Sequence, residues 1–338
     1  MYNNEPLSSM SHEIPIVEQN ESFAPPRRLP IARYCLDALL VFTMGIGLEA
    51  FCRLYGPFKR GFFCDDESIR YPYLPQSVTL FALLNYCLFT NCLIILFTEI
   101  HRLRKPETVN EHYSNLEHGR TFAGRLIVRF AIFFGYAMMS MLIVLTLTTA
   151  AKYPVGRLRP HFMDVCRPNV GYDFCNTTTY IPASAYNCTG TNKAAILEAR
   201  LSFFSGHASM SAAAATFAVF YMQDRLAGQI KSRVIVPCTQ TLVYIVALWI
   251  GYTRIYDDWH HWSDVFLGCV VGTTITAFLC KYVAGLVPNV YTINGSEKTH
   301  LLTQHPDAGG RSFLCNFCRQ RPANDLNQSN GLPNDSLP

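Results

Sequence analysis

The chain has 338 residues, half of them hydrophobic and only 15% charged, with a net charge of +4. A typical soluble domain carries about 25% charged residues, and the apolar residues here are gathered into long runs. The composition therefore favours one membrane domain with tails over the two soluble domains that the length would allow. Because the positive charges are scattered, no nucleic-acid partner is expected.

Both ends of the chain are polar. Residues 1–30 and 289–338 are predicted to be disordered tails on the cytosolic side, and residues 31–288 to form the membrane domain. Residues 1–30 lack the pattern of a cleavable signal peptide. The first apolar run is therefore expected to act as its own insertion signal.

Six runs between the tails are apolar and long enough to cross a bilayer, which takes roughly 20 helical residues. They cover residues 34–54, 77–100, 126–150, 207–224, 234–252 and 265–287. The fourth run is rich in small residues, which favours close helix packing over lipid contact. The pattern predicts an all-α, polytopic membrane protein with six transmembrane helices.

The basic residues of the connections predict the side of the membrane that each connection faces. Arg and Lys are frequent in the N-terminal tail and in connections 101–125 and 225–233, and such segments stay in the cytosol. Six crossings then place loops 55–76, 151–206 and 253–264 on the opposite side. Loop 151–206 is itself basic, an exception that a catalytic use of several of its residues would explain.

Loop 151–206 also contains two N-glycosylation sequons, at Asn176 and Asn187. Glycans are added on the extracellular or luminal side, so both sequons support the same orientation. That side is oxidising, and cysteines in its loops can form disulfides there. Four cysteines lie in these loops, and the sequence leaves their pairing open: Cys64, Cys166, Cys175 and Cys188.

Three short polar segments lie at the edges of the apolar runs. The first contains Lys152 and Arg159, separated by six residues, and then Pro160. If the third helix continues through this segment, the two cations share one face, and Pro160 then ends the helix. Both residue types bind phosphate, Arg through a planar fork and Lys as a point charge. The alternative is that they are interfacial residues whose charges reach the lipid head groups.

The second segment is Ser205-Gly206-His207, at the start of the small-residue run. Backbone N–H groups at a helix N-terminus point towards a bound anion, and the helix dipole adds to the attraction. Gly206 permits a close approach of the backbone to a ligand. The alternative is a plain Ser N-cap followed by a histidine without a role in the chemistry.

The third segment contains Arg254, His260 and Asp264. On a helix, residues four apart lie one turn from each other, so the carboxylate of Asp264 would reach the ring of His260. An aspartate bonded to one ring nitrogen fixes the tautomer and leaves the other nitrogen free for nucleophilic attack on phosphorus. Arg254 is close enough in sequence to reach the same anion.

A competing interpretation of this segment makes His260, His261 and Asp264 metal ligands. No further carboxylate or histidine cluster in the sequence completes such a site, so a metal site is not predicted. The neighbouring Trp259 and Trp262 are expected to be anchors at the membrane interface.

Together the three segments resemble the lipid phosphate phosphatases, the membrane branch of the type-2 phosphatidic acid phosphatase superfamily. The family pattern is K-x6-R-P, then S-G-H, then S-R-x5-H-x3-D, and the chain matches it at the required spacings. One position departs from it, because Thr253 stands where the family usually has Ser. The resemblance covers about residues 34–287 and implies the helical-bundle core that the superfamily shares with vanadium haloperoxidases.

The resemblance also implies a role for each matched residue. His260 would be the nucleophile that forms a phosphohistidine, and Asp264 would orient it. His207 would protonate the leaving alkoxide and then activate water. The phosphoryl oxygens would be held by Lys152, Arg159, Ser205, Gly206 and Arg254. No metal or other cofactor is expected, because three cationic side chains supply the charge that Mg²⁺ supplies elsewhere.

The implied substrates are phosphatidate, lysophosphatidate, sphingosine 1-phosphate and ceramide 1-phosphate, cleaved on the extracellular or luminal face. The plasma membrane is the expected location, with the endoplasmic reticulum or Golgi as alternatives, and homo-oligomers are left open. Two other functional classes compete. An inactive relative acting as a scaffold is disfavoured because every motif residue is retained, and a transporter because no inverted repeat is visible.

Overall fold

The computed structural model describes residues 31–104, 121–170, 179–227 and 229–286. Within these ranges the protein is mostly helical, so the predicted all-α class is confirmed. The predicted tails, 1–30 and 289–338, lie outside the described residues. The long helices are α1 (Ile31–Tyr55), α2 (Leu80–Leu103), α3 (Phe122–Val155), α6 (Gly206–Arg225), α7 (Ile235–Tyr256) and α8 (Trp262–Tyr282).

Polar residues determine where the long helices begin and end. Thr79, Thr121 and Ser205 cap α2, α3 and α6, because each side-chain oxygen accepts a hydrogen bond from a backbone N–H in the first turn. Helix α3 ends where Gly156 adopts a left-handed conformation, with φ of 55°. A side chain at Gly156 would also collide with the Phe58 carbonyl oxygen, so this turn requires glycine.

Helix α6 is the centre of the bundle. It packs against α2, α3, α7 and α8, whereas α1 packs on α3. The four alanines of residues 212–215 are at most 2% exposed. Small side chains let neighbouring helices approach closely on every side, which explains why this run is poorer in large apolar residues than the others.

Two glycines of α8 allow its contact with α6. A Cβ atom on Gly268 would lie 2.7 Å from the Ser205 carbonyl oxygen, and one on Gly272 would lie 2.2 Å from the Ser209 carbonyl oxygen. Neither position can hold a larger residue without moving one helix. The close contact fixes the start of α6 beside the start of α8.

The outer surface of the bundle is apolar. Leu39, Phe81 and Ile127 are among many large hydrophobic side chains that are more than half exposed, as expected for contact with lipid. Among the described residues, five helices are long and apolar enough to cross a membrane: α1 from Cys35, α2, α3, α7 and α8. Helix α6 is not among these five, so a count of six spans stays a prediction.

The connections at one end of the bundle fold into a small cap. It contains strands β1 (Phe62–Phe63) and β2 (Tyr180–Ile181), which pair antiparallel, and the short helices α4 (Phe162–Cys166) and α5 (Lys193–Glu198). A disulfide joins Cys166 to Cys188. Cys64 is also disulfide-bonded, and Cys175 lies outside the described residues.

Because Gly272 lies against backbone of α6, we expect Gly272→Ala to lower the apparent thermal unfolding midpoint in detergent. Overpacking typically costs about 1–3 kcal/mol, which corresponds to roughly 3–10 °C here. Gly135→Ala in α3 is the control, because a Cβ atom there meets no atom within 4 Å. It should leave the midpoint unchanged or raise it. Equal midpoints for the two variants would contradict the packing argument.

Candidate active site

The three polar segments meet at one end of the bundle. The C-terminal ends of α3 and α7 lie there beside the N-terminal ends of α6 and α8, and the Ser205 N–H donates to the Asp264 carbonyl oxygen at 3.0 Å. The ends enclose a cavity of about 580 Å³. Six of the eight residues predicted to form the site line it: Lys152, Arg159, Gly206, His207, Arg254 and His260. The remaining two, Ser205 and Asp264, are fully buried and do not line it.

Lys152 and Arg159 reach the cavity from different local structures. Lys152 lies in the last turn of α3, and its Nζ donates to the Leu201 carbonyl oxygen at 3.0 Å. The third helix does not continue through this segment, because the left-handed Gly156 ends α3 before Arg159. The Arg159 N–H instead donates to the Ala199 carbonyl oxygen at 2.8 Å, which fixes the non-helical segment beside α5.

The guanidinium of Arg159 is buried among three groups. It forms an ion pair with Glu198, donates to the Leu201 carbonyl oxygen at 3.4 Å and lies 4.9 Å from the ring centroid of Trp259. Trp259 is only 7% exposed and donates from Nε1 to the Leu74 carbonyl oxygen. It is therefore a wall of the cavity rather than the expected interfacial anchor, whereas Trp262 is 70% exposed.

Arg254 is the most deeply buried cation of the site, with 1% of its surface exposed. Its Nη2 donates to Asp257 at 2.9 Å and its Nη1 to Gln76 at 3.2 Å. Asp257 in turn accepts hydrogen bonds from the backbone and hydroxyl of Ser77. Fixed partners on two elements thus hold the guanidinium in place before any ligand arrives.

The start of α6 combines a helix cap with the cavity wall. The Ser205 hydroxyl accepts a hydrogen bond from the Ala208 N–H at 3.4 Å, so this serine does cap the helix. A Cβ atom on Gly206 would meet only Thr148, at an ordinary 3.7 Å. Protein packing therefore does not require glycine there, and the open space belongs to the cavity. The buried Nε2 of His207 has no hydrogen-bond partner within the described part of the chain.

His260 precedes α8 rather than lying on it. Its N–H donates to the Arg254 carbonyl oxygen at 3.0 Å, which folds the turn after α7 back onto the last turn of that helix. Its Nδ1 is 3.8 Å from Asp264 Oδ2, too far for a direct hydrogen bond. The Ser202 hydroxyl lies between them, donating to Asp264 at 2.6 Å and lying 3.4 Å from the ring nitrogen.

Two other groups hold the same carboxylate. Arg157 donates from Nη1 to Asp264 Oδ1 at 2.6 Å, and Nδ1 of His261 is 3.3 Å from Oδ2. Sequence reasoning missed Arg157 and Ser202 as site residues. Arg157 stands inside the first polar segment and could have been considered, but nothing in the sequence around Ser202 connects it with a residue 62 positions later.

Burial determines the charge state of His260. The ring is 4% exposed and near Arg159, and these two effects, burial first, hold its pKa well below the ordinary value. A neutral imidazole has a free electron pair on one ring nitrogen. With Nδ1 turned towards Ser202, that nitrogen is Nε2.

One wall of the cavity is apolar and opens sideways. Leu80, Leu84 and Leu145 line the cavity and are also 60%, 39% and 46% exposed. Their outer faces belong to helices that are apolar enough to contact lipid. The cavity therefore joins a cationic end to a hydrophobic side entrance.

The arrangement suits an anion more than a metal. Within the described ranges, no group of three or more His, Cys, Asp or Glu side chains is placed to bind a metal ion. The charges that face the cavity are instead mostly those of Lys and Arg side chains, which favour a phosphate group.

Comparison with known proteins agrees with this chemistry. Residues 130–287 match the PAP2 superfamily. The chain is 38% identical to phospholipid phosphatase homolog 1.2 homolog of Caenorhabditis elegans, over 75% of this chain and 73% of that protein. It is 30% identical to phospholipid phosphatase 1 of Rattus norvegicus, over 86% of this chain and 97% of that protein. It is 32% identical to phospholipid phosphatase 2 of Homo sapiens, over 74% of this chain and 82% of that protein.

No solved structure matches the chain significantly. The relatives are nevertheless matched over most of their length, and the PAP2 match includes α6, α7 and α8, which carry the second and third polar segments. The chain belongs to the phospholipid phosphatase family of the PAP2 superfamily.

Proposed function

We propose that this membrane enzyme hydrolyses lipid phosphate monoesters through a phosphohistidine on His260. The observation that carries the proposal is the single cavity that six predicted site residues line, closed by cations at one end and open between leucines at the side. A lipid phosphate has the matching shape and polarity, with a dianionic head and an apolar tail. The named relatives are phospholipid phosphatases, which supports the same substrate class.

The cations would hold the phosphoryl group. Lys152, Arg159 and Arg254 approach the cavity from three separate elements, so together they can neutralise the charge on the non-bridging oxygens. The first N–H groups of α6, at Gly206 and His207, add oriented dipoles. Ser205 contributes through the cap that orients this turn, since its hydroxyl is bonded to Ala208.

In the first step, Nε2 of His260 attacks phosphorus while the bond to the lipid oxygen breaks. The neutral state of the buried ring provides the attacking electron pair. His207, whose Nε2 has no hydrogen-bond partner among the described residues, takes up a proton when the anionic phosphate binds beside it and gives this proton to the leaving alkoxide, which departs as the alcohol. The positive charge that forms on the ring of His260 is stabilised through Ser202 by Asp264.

In the second step, water attacks the phosphohistidine. His207, now deprotonated, accepts a proton from that water, so the histidine is restored to the state it had at the start. The N–P bond breaks, the electron pair returns to Nε2 of His260, and inorganic phosphate is released. Three cationic side chains hold the charge throughout, and no step requires a metal ion.

The substrate class includes phosphatidate, lysophosphatidate, sphingosine 1-phosphate and ceramide 1-phosphate, since the cavity recognises a phosphate and an apolar chain. The site is proposed to face the extracellular or luminal side, because the cap at that end carries a disulfide. Residues 31–288 would form the membrane domain, with both tails in the cytosol and the plasma membrane as the expected location.

The two histidines are expected to respond differently to an activated substrate. His260→Ala should form no phosphoenzyme and show no activity with any ester, because the nucleophile is missing. His207→Ala should lose about 10²–10⁴ in rate on lipid substrates. A nitrophenyl phosphate should restore part of this loss, because its leaving group needs no proton. Phosphoenzyme trapping and phosphate release, with EDTA present, measure both effects.

His261→Ala is the matched control for these variants. His261 does not line the catalytic cavity, and without it Asp264 keeps the shorter hydrogen bonds from Arg157 and Ser202, so this variant should keep most of the activity. Failure of His261→Ala to become phosphorylated, or restoration of His260→Ala by the activated ester, would contradict the proposed roles.

Ser202→Ala is expected to slow phosphoenzyme formation without changing KM, because Ser202 holds Asp264 and His260 but does not line the cavity. A hydrogen bond to a charged group is worth about 1.5–3 kcal/mol, or roughly a ten- to hundredfold loss in this rate. Ser184→Ala, an exposed change in the same loop, should have no effect. A variant with normal kcat and raised KM would show that Ser202 instead shapes the lipid site.

The proposed orientation predicts glycans on loop 151–206. Asn187 is exposed next to the disulfide-bonded Cys188, and Asn176 is outside the described residues. Glycosidase treatment should shift the mobility of the protein. Asn176→Gln and Asn187→Gln should each remove the part of this shift that comes from a glycan at that site. Asn327 also begins a sequon, but it lies in the predicted cytosolic tail. Asn327→Gln should therefore leave the glycosidase-sensitive mobility unchanged. If loop 151–206 is labelled once the plasma membrane is permeabilised but not in intact cells, the loop is cytosolic, and this result would contradict the orientation.

A further inference from the structure

Arg159, one of the residues proposed to bind the phosphate, already forms an ion pair with a carboxylate. The side chain of Arg159 is 3% exposed, and its Nη2 donates to Oε1 of Glu198, the last residue of α5. The other contacts of this guanidinium are a backbone carbonyl and the face of Trp259. Glu198 therefore occupies Nη2 of Arg159, whereas Nε has no hydrogen-bond partner among the described residues.

Glu198 lies between two cavities. It lines the catalytic cavity of about 580 Å³ and also a second cavity of about 340 Å³ on the cap side. The outer cavity, as we call the second one, is lined in addition by Tyr73, His161, Asn192, Ala194, Ala195 and Trp259. Glu198 and Trp259 are thus the two side chains shared by both cavities.

We propose that Glu198 is an internal anion that occupies Arg159 in the ligand-free enzyme and that the phosphoryl group of the substrate displaces it. The carboxylate then turns into the outer cavity. This inference rests on the proposed function, because it assumes that Arg159 binds phosphate.

The charges favour competition. Burial opposes the ionisation of Glu198, but Arg159 and Lys152 outweigh it and keep the pKa of this carboxyl below its ordinary value. The carboxylate is therefore charged at neutral pH. A phosphate dianion at the same guanidinium would repel it strongly, since like charges at contact distance are unfavourable in a buried site.

The structure also provides room for the movement. The side chain of Glu198 is 49% exposed, so most of its hydration is kept when it turns outward. Helix α5 has only six residues, and Glu198 is at its end rather than inside a transmembrane helix. Displacement therefore requires a side-chain rotation and no rearrangement of the bundle.

The test is the equilibrium binding of inorganic phosphate to the full-length protein in detergent with EDTA, measured by calorimetry. Glu198→Gln should bind phosphate about three- to tenfold more tightly, because the competing charge is gone and the ion pair between the buried Arg159 and the half-exposed Glu198 no longer has to be broken. Glu198→Ala is a second variant with the same expected direction. Glu67→Gln removes an exposed carboxylate of the same cap and should bind phosphate like the unmodified protein.

Arg159→Ala separates this inference from the proposed function. It should weaken phosphate binding, and in its background Glu198→Gln should have no further effect. If Arg159→Ala weakens binding and the Glu198 variants also bind more weakly or equally, Glu198 positions Arg159 and the competition is overturned. If Arg159→Ala binds phosphate normally, the proposed phosphate site itself is wrong.

Discussion

The structure depends on the placement of cations at one buried end of a helix bundle. Moving a charged group out of water costs several kcal/mol unless partners compensate for it. Each cation here therefore has a polar partner: Asp257 for Arg254, Glu198 for Arg159 and the Leu201 carbonyl for Lys152. These contacts tie the cap to the helix ends, so the charge distribution stabilises the cap as well as forming the site.

The position of these partners follows from the packing of α6 and α8. Their contact at Gly268 and Gly272 admits no side chain, so the two helices meet in one register. In that register the first turn of α6 lies beside the first turn of α8, and the Ser205 N–H bonds to the Asp264 carbonyl oxygen. The second and third polar segments are therefore joined by backbone contacts, and the geometry of the side chains depends on glycines that have no chemical role.

Much of this arrangement was predictable from the sequence. Long apolar runs fix the helices to within a few residues of their observed ends, and the polar segments at their edges identify most of the cavity lining. Two sequence interpretations do not hold, for local reasons. Lys152 and Arg159 would share a helical face only if α3 continued, but Gly156 ends that helix first. Trp259 was expected at the membrane interface because of its residue type, but a turn buries it under Arg159.

The residues that the sequence did not reveal act through long-range contacts. Ser202 reaches Asp264, and Arg157 reaches the same carboxylate from 107 positions away. Hydrophobic periodicity records which face of a helix is buried, but it carries no information about which polar groups face each other across the bundle. A hydroxyl between an imidazole and a carboxylate is visible only in three dimensions.

The two sides of the catalytic cavity differ in polarity, and they suit different parts of one substrate. The leucine side admits an apolar chain without desolvating the cations, because the charges lie at the far end of the cavity. Before a substrate binds, Glu198 and Trp259 cover the cap side and shield the buried guanidinium of Arg159. A low local dielectric strengthens every charge interaction with a phosphoryl group. A lipid that fills the apolar side excludes water there, so binding of the tail strengthens the electrostatic contacts that act on the head.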